Sequence, residues 1–485
     1  MRNNISNFKK NIVTNISASL FVMGVCCMAP AYAGGAPAAG SLDLTFNING
    51  IVTTDLGYVY DSASTVAIQS DGKIVVAGTK GIYVPYNPAQ YVPGASDFAL
   101  ARYNTDGSLD SSFGTGGKVF TDLGSPVDGI SDITIQSDGK IVVAGATAIM
   151  SCTGCYPLTR IAVVRYNANG SLDTSFGIKG IVITAISDRS NATSIALQTD
   201  GKIVVGGISS IDGPYPTSTG AILRYHSNGT LDSTFGVNGV SAINLSAHFD
   251  DLGNDFRAFN ITDLALQTDG KIVAAGWATT VYLSVPGYNE AFVAVRYNAN
   301  GTLDTSFNST GVAITRLSTG SYTTDQADNV VIQSDGKIVL GGTAGVYHAA
   351  RFALVRYNAN GGLDATFGSG GKTTTALGIK GAYAGGLKLQ SDGKIVLGGT
   401  AYEEVRVSGV VGTYPHFAIA RYTTNGTLDN RFGSQGKVLT FMGPIGGYFS
   451  ELAIQADKKI LAVGGNIVPY DNYTGTDFAV LRYNP

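Results

Sequence analysis

The sequence predicts an all-β protein, a seven-bladed β-propeller with four antiparallel strands per blade. Three observations predict it. A stretch typified by Ile135-Gln136-Ser137-Asp138-Gly139-Lys140-Ile141-Val142-Val143-Ala144-Gly145 recurs seven times, with its Asp at Asp71, Asp138, Asp200, Asp269, Asp335, Asp392 and Asp457. An Arg-Tyr pair closing an apolar run recurs seven times, from Arg102-Tyr103 to Arg482-Tyr483. A Leu-Asp-x-x-Phe turn also occurs seven times, first at Leu42 and last at Leu428. The turn Asp residues are 57 to 69 positions apart, which suits a four-stranded blade with loops of varying length better than a shorter, more regular solenoid turn. Glycine, 64 of 485 residues, is about twice its usual share of roughly 7 %, as a turn-rich β-protein requires.

The N-terminus reads as a signal peptide over residues 1–33. Arg2, Lys9 and Lys10 form a basic start, an apolar core runs over residues 20–29, and Ala31-Tyr32-Ala33 offers small residues for cleavage after Ala33. The core is too short to span a bilayer, so no membrane span is expected in the mature form. Residues 1–33 hold three basic and no acidic residues, so their loss moves the net charge from −3 to −6. Only 14 % of residues are charged, which leaves no basic patch of the kind nucleic acid demands. A short linker, 34–40, precedes the propeller at 41–485.

Within a unit, residues 133–136 read as a first strand and 140–145 as a second. Asp-Gly between them predicts a two-residue type I′ turn, with positive φ at both central residues. The second strand is apolar on both faces and needs cover on both, which neighbouring blades supply. Residues 161–166 form the third strand, 167–177 a turn, and 180–184 the fourth strand. The blades fall at about 62–121, 129–184, 191–244, 260–316, 327–375, 384–440 and 449–485, the last completed by 41–55. That completion follows from phase. Leu42-Asp43-Leu44-Thr45-Phe46 precedes any Arg-Tyr pair, and the chain ends on Arg482-Tyr483-Asn484-Pro485 with no turn after it. The two ends are halves of one unit, so residues 50–54 are expected to pair with 478–482 and close the ring, removing two sheet edges. The other phase would put 51–54 innermost in the first blade.

The motif of residues 69–114, Gln-Ser-Asp-Gly-Lys-Ile-Val-Val-Ala-Gly followed by Phe-Ala-Leu-Ala-Arg-Tyr-Asn-Thr-Asp-Gly-Ser-Leu-Asp-Ser-Ser-Phe-Gly, resembles the delta-60 repeat family of bacterial exported proteins. The resemblance covers nearly all of 41–485. It implies a β-propeller-like fold and no defined activity. One unit departs from the pattern: Asp457-Lys458 has Lys in place of the turn Gly.

Residues present in every unit read as scaffold, because one site needs one copy. The Asp of each Leu-Asp-x-x-Phe turn can pair with the third-strand Arg or cap local amides. The loop from Asn104 to Asp110 faintly resembles a calcium loop, but its other copies favour Asn-Gly and read as plain turns. No catalytic residue and no cofactor is assigned. The acidic loop holding His248, Asp250 and Asp251 is the best metal candidate, against a solvated loop as the plainer reading. Cys152 and Cys155 are spaced C-x-x-C. In an exported chain a local disulfide is the first reading, ahead of a redox motif, which lacks a helix start, or zinc, which lacks two ligands.

Connections between second and third strands, and from a fourth strand to the next first strand, open on one face. These variable loops hold 17 of the 24 tyrosines after residue 33. The expected ligand-binding set there is Tyr83, Tyr86, Tyr91, Tyr215, Trp277, Tyr282, Tyr288, Tyr347, Tyr414 and Tyr470, with His348 and His416 placed in the same loops. Tyrosine combines apolar area with a polar tip and has little entropy to lose. The sequence therefore points to an exported, monomeric binding or scaffold module for a glycan, peptide or protein. The alternatives are an extracellular polysaccharide hydrolase or lyase, which should gather carboxylates with shifted pKa at the central mouth, and a purely structural surface protein.

Overall fold

Short apolar runs punctuated by glycine turns fold into 28 strands and no helix among the described residues. The computed structural model describes residues 37–485 apart from 82–95, 150–157, 212–216, 244, 246–255, 282–287, 320–321, 347, 408–409, 444 and 470–473. The expected signal peptide and the Cys152–Cys155 pair lie outside the described residues.

A lone strand, β1 (Ile51–Thr54), comes first. The strands after it group in antiparallel fours. The first unit is β2 (Tyr60–Ile68), β3 (Ile74–Gly81), β4 (Ser96–Tyr103) and β5 (Lys118–Thr121). The second is β6 (Val127–Ile135), β7 (Ile141–Ile149), β8 (Leu158–Tyr166) and β9 (Ile181–Thr184). The third is β10 (Arg189–Leu197), β11 (Ile203–Ile211), β12 (Thr217–Tyr225) and β13 (Val240–Ile243). The fourth is β14 (Phe256–Leu266), β15 (Ile272–Val281), β16 (Tyr288–Tyr297) and β17 (Val312–Thr315). The fifth is β18 (Gln326–Ile332), β19 (Ile338–Ala344), β20 (Arg351–Tyr357) and β21 (Lys372–Thr375). The sixth is β22 (Ala382–Leu389), β23 (Ile395–Val407), β24 (Val410–Tyr422) and β25 (Lys437–Thr440). The last three strands, β26 (Gly447–Ile454), β27 (Ile460–Pro469) and β28 (Thr474–Tyr483), take their fourth from the other end of the chain. β1 pairs antiparallel with β28, Ile51 opposite Leu481 and Thr54 opposite Phe478.

The apolar core lies between units. Ile74 and Val76 of β3 pack with Val463 and Val480, while Val75 and Ala77 pack with Ile133 and Val143. Alternate side chains of one strand thus enter two different cores, which is why the second strands are apolar on both faces. First strands lie against first strands of neighbouring units: β2 meets both β6 and β26.

The Asp-Gly turn corrects the type I′ expectation. Of its central residues only the glycine has positive φ (Gly72, 84°; Gly139, 82°). The Gly72 amide bonds Gln69 O at 2.9 Å and the Gln69 amide bonds Lys73 O at 2.8 Å, so the loop has three residues and closes on a glycine bulge. Asp71 Oδ1 accepts the Lys73 amide at 3.1 Å, a local bond that serves the turn without a left-handed Asp. Lys458 occupies the glycine position with φ 68°, a strain of about 1 kcal/mol. The glycine ending each Val-Val-Ala-Gly run has a separate reason. Every first strand carries a β-bulge, and a β-carbon on Gly78 would strike the Ser62 carbonyl there.

The repeated polar residues fasten unit to unit. Arg102 Nε donates to Asp110 Oδ2 at 2.9 Å, its Nη1 reaches the Ala168 carbonyl of the next unit, and its guanidinium lies 4.5 Å from the Phe113 ring centre. Lys73 Nζ approaches the same Asp110 oxygen at 3.0 Å. Asp110 Oδ1 accepts the Ser112 amide, so both expected roles of this Asp occur together. The Tyr of each Arg-Tyr pair is buried, and six of the seven hydroxyls bond a Thr ending the preceding unit's fourth strand, as Tyr166 does to Thr121 at 2.8 Å. Tyr297 is the exception: Ile243 ends β13 where the others have Thr, and the hydroxyl has no partner. Tyr166→Phe should therefore cost about 1 kcal/mol in urea unfolding, and Tyr297→Phe nothing. Equal losses at the two positions would contradict the latch.

Candidate functional site

Two places gather polar side chains from separate units. The first is where the first strands of neighbouring units lie against one another. The residue following each first-strand bulge is Thr65, Asp132, Ser194, Asp263, Asn329, Gly386 or Glu451. The bulge turns this side chain toward the neighbouring unit. Asp132 Oδ2 accepts the Ile195 amide at 2.8 Å, and Asp263 Oδ2 the Val330 amide at 2.9 Å. Thr65 donates to Asp132, Ser194 donates to Asp263, and Lys388 Nζ reaches Glu451 Oε1 at 3.2 Å.

Burial, then the charge of Asp263, pushes Asp132 up to about 7. Burial also raises Asp263, Glu451 and Asp328, while the surrounding carboxylates raise Lys388 against its own burial. Carboxylates with raised pKa from several units thus influence one another, Asp263 raising Asp132 and Glu451 raising Asp328. Most of them are already engaged with backbone amides, which gives them a structural duty as well. The sequence analysis missed this set. Its signal is positional: Asp132, Asp263 and Glu451 each stand four residues before the Gln of the repeated stretch, at Gln136, Gln267 and Gln455.

The second place is a cleft of about 790 Å³ lined by His348, Lys380, Tyr383, Tyr402 and Thr413. His348 follows β19, Lys380 precedes β22, and Tyr383 is the second residue of that strand. Tyr402 and Thr413 belong to the β23–β24 ribbon, whose 13-residue strands pair as far as Val407 opposite Val410. His348, Lys380 and Tyr383 sit beside strand ends, and Tyr402 and Thr413 within the long ribbon. The loop before β22 is pinned to the ribbon: the Lys380 amide bonds Tyr402 O at 3.1 Å and the Tyr402 amide bonds Gly381 O at 3.0 Å. Gly378 (φ 72°) permits this approach, since a β-carbon there would lie 2.8 Å from Tyr402 O. Tyr383 and Tyr402 meet edge to face, 6.0 Å between ring centres, and Lys380 Nζ pairs with Glu404 at 2.8 Å. The wall thus offers aromatic faces beside a charged pair.

Of the expected ligand-binding set, Tyr83, Tyr86, Tyr91, Tyr215, Tyr282, Tyr347 and Tyr470 lie outside the described residues, as do His248, Asp250 and Asp251. Tyr288 opens β16, and its side chain is likewise outside the description. Tyr414 is half-buried on β24 opposite Glu403, next to Thr413 of the cleft. Four expected loop placements are corrected, because Tyr288, Tyr414, Trp277 and His416 all lie in strands. Trp277 is half-buried within β15, between Asn260 and Phe292, because the apolar run continues through it. His416 is buried within β24, 4.1 Å from the Phe441 ring centre, and burial lowers its pKa. Tyr383 and Tyr402 carry the usual loop-tyrosine signal, whereas Lys380 has none in sequence.

Comparison with known families places six matches to a domain of unknown function (DUF5122) described as a beta-propeller, at residues 90–113, 136–176, 198–235, 267–307, 333–367 and 390–432. No curated protein matches the chain. Among solved structures, a polysaccharide lyase described as an ulvan lyase is similar at 11 % identity and a TM-score of 0.47, covering 89 % of this chain and 96 % of its own. A protein of unknown function from Dyadobacter fermentans is similar at 10 % identity and a TM-score of 0.44, covering 73 % of this chain and 93 % of its own. Drosophila Semaphorin 2a is similar at 8 % identity and a TM-score of 0.44, covering 92 % of this chain and 76 % of its own.

Proposed function

We propose that this β-propeller repeat protein is an exported, monomeric glycan-binding module of the delta-60 repeat type, its units closed into a ring of seven blades. Three features support the ring: β1 pairs with β28, β26 lies against β2, and one apolar cluster joins Val463 and Val480 to Val66 and Val76. Closure leaves no long sheet edge free for a second copy. Export rests on the signal-like residues 1–33 and the mildly acidic mature charge.

The observation that carries the binding reading is the cleft at Tyr383 and Tyr402. Sugar rings present flat C–H faces that pack on tyrosine, and Lys380 with Glu404 can exchange hydrogen bonds with hydroxyl or carboxylate groups. The cleft should hold a short oligosaccharide. On an array of plant, algal and bacterial oligosaccharides the wild-type protein should retain at least one class. Tyr402→Ala and Tyr383→Ala should each weaken that binding about tenfold. Tyr448→Ala, exposed on the seventh unit, should leave it unchanged. Retention of the same sugar by a Tyr383→Ala/Tyr402→Ala double variant would remove the reading.

The carboxylates among the first strands favour a second reading, an extracellular polysaccharide hydrolase or lyase. It requires cleavage of an array-positive polysaccharide by the wild type and none by Asp328→Asn, since Asp328 Oδ2 is covered and lacks a hydrogen-bond partner.

A further inference from the structure

Three acidic side chains meet where the two ends of the chain come together. Asp55 follows β1, Asp61 lies in β2 and Asp477 in β28, and one carboxylate oxygen of each is within 4.8 Å of the other two. Asp61 is fully buried. Its Oδ2 accepts the Leu56 amide at 2.8 Å, and its Oδ1 has no hydrogen-bond partner. Among the described residues, no ion pair joins any of the three to a Lys, Arg or His. A buried carboxylate oxygen without a donor, beside two more carboxylates, is a costly arrangement unless something positive completes it.

The next seam along the chain has the same three acids and shows what is missing. Asp97, Asp122 and Asp128 repeat the cluster one unit later. There Lys80 Nζ pairs with Asp97 at 3.2 Å. Asp128 is also fully buried, but its Oδ2 accepts the Leu123 amide at 2.9 Å and its Oδ1 the Ser125 hydroxyl at 2.6 Å. In the first cluster no hydroxyl donates to Asp61 Oδ1, and Lys80, although it stands across the strand pair from Asp61, forms no ion pair with any of the three acids. Register places Lys80 opposite Asp97 and neutral Asn466 opposite Asp477. Asp122-Leu123-Gly124-Ser125 aligns with Asp55-Leu56-Gly57-Tyr58, so Tyr58 stands where Ser125 stands. One seam has a lysine and a hydroxyl to offset its acids, and its twin has neither.

We propose that Asp55, Asp61 and Asp477 bind one hard divalent cation of the calcium class, which replaces the Lys80 and Ser125 of the neighbouring seam and staples the two chain ends together. Carboxylate oxygens are the ligands such ions prefer, and oxygens on opposite sides of a calcium ion lie up to about 5 Å apart, which matches the spacing. Asp55 is exposed and Asp477 half-buried, so water can complete the six to eight ligands that calcium takes. Magnesium, which requires a tighter octahedron, is the poorer fit.

The test is calorimetric titration of calcium chloride into full-length mature protein stripped with chelator, read beside the thermal midpoint. One calcium should bind per chain and raise the midpoint. Asp61→Asn should weaken binding at least tenfold and abolish the rise, while Asp128→Asn should leave both intact. Asp477→Asn, at a partly exposed position, should repeat the loss and covers the case in which Asp61→Asn fails to fold. The proposal is overturned if the wild type binds no calcium up to about 10 mM, tenfold above the weakest extracellular calcium modules. Unchanged affinity in Asp61→Asn or Asp477→Asn overturns it too, and magnesium binding as tight as calcium overturns the assignment of the ion.

Discussion

Arg482→Ala is expected to lower the unfolding free energy by about 3–5 kcal/mol, the cost of removing one partner of a buried ion pair. Arg482 and Asp43 are each 4 % exposed, and Arg482 Nε donates to Asp43 Oδ2 at 2.7 Å. The same guanidinium reaches the Thr105 carbonyl at 2.5 Å and the Thr45 hydroxyl at 3.1 Å, and lies 4.5 Å from the Phe46 ring centre. Without it, Asp43 keeps only Lys459 Nζ, at 3.0 Å, as a charged partner. The six other units hold this pair within continuous chain. Here it joins residues 439 positions apart, so its loss also loosens the N-terminal segment. Urea denaturation measures the first effect, and limited proteolysis around residues 41–54 the second. Asp43→Ala should behave alike, and the double variant should cost less than the two single changes added. Arg296→Ala, the same change inside the fourth unit, should destabilise without opening residues 41–54 to protease. Equal protease sensitivity in both Arg variants would show that the terminal pair fastens nothing in particular.

Stability should fall as pH rises from about 4 to 8, the reverse of acid denaturation. Burial pushes Asp132 up to about 7 from 3.8, and Glu290 up to about 7 from 4.5. Between those limits the folded chain holds protons that the unfolded chain has released. The stability they contribute is complete below the unfolded values and lost as pH passes the folded ones. For Asp132 the three-unit difference is worth at most about 4 kcal/mol. Asp43 works the other way. Despite burial, bonds from Thr45 and Lys459 hold it down to about 2, so its contribution is present above 3.8 and lost as pH falls toward 2. Maximum stability should therefore lie near pH 4–5. Urea midpoints in chelator across this range check the trend. Asp132→Asn, which imitates the protonated carboxyl, should flatten the slope above about pH 5; an unchanged slope would assign the effect to other groups.

Much of the fold was legible because it is written in short, repeated segments. The Asp-Gly-Lys, Arg-Tyr and Leu-Asp-x-x-Phe motifs mark strands and turns from residues close in sequence, and their recurrence separates scaffold from site. The turn geometry was misjudged because Asp-Gly serves both a two-residue loop and a three-residue loop closed by a glycine bulge, and only the Gln69–Lys73 pairing distinguishes them. Trp277 and His416 were assigned to loops because strand ends cannot be read where an apolar run continues without a breaker.

The sequence by itself determined the all-β class, the partner strand of residues 51–54, and the structural duty of the repeated Arg, Tyr, Asp and Lys. Each of these follows from local pattern or from counting copies. Tertiary structure alone decided which single-copy residues come near one another: Asp132, Asp263, Lys388 and Glu451 among the first strands, Lys380 with Tyr402 in the cleft, and Asp61 with Asp477 at the seam. The physical reason is that repeated contacts are encoded locally and many times over, whereas a site joins distant, unrepeated side chains whose proximity depends on how the units pack.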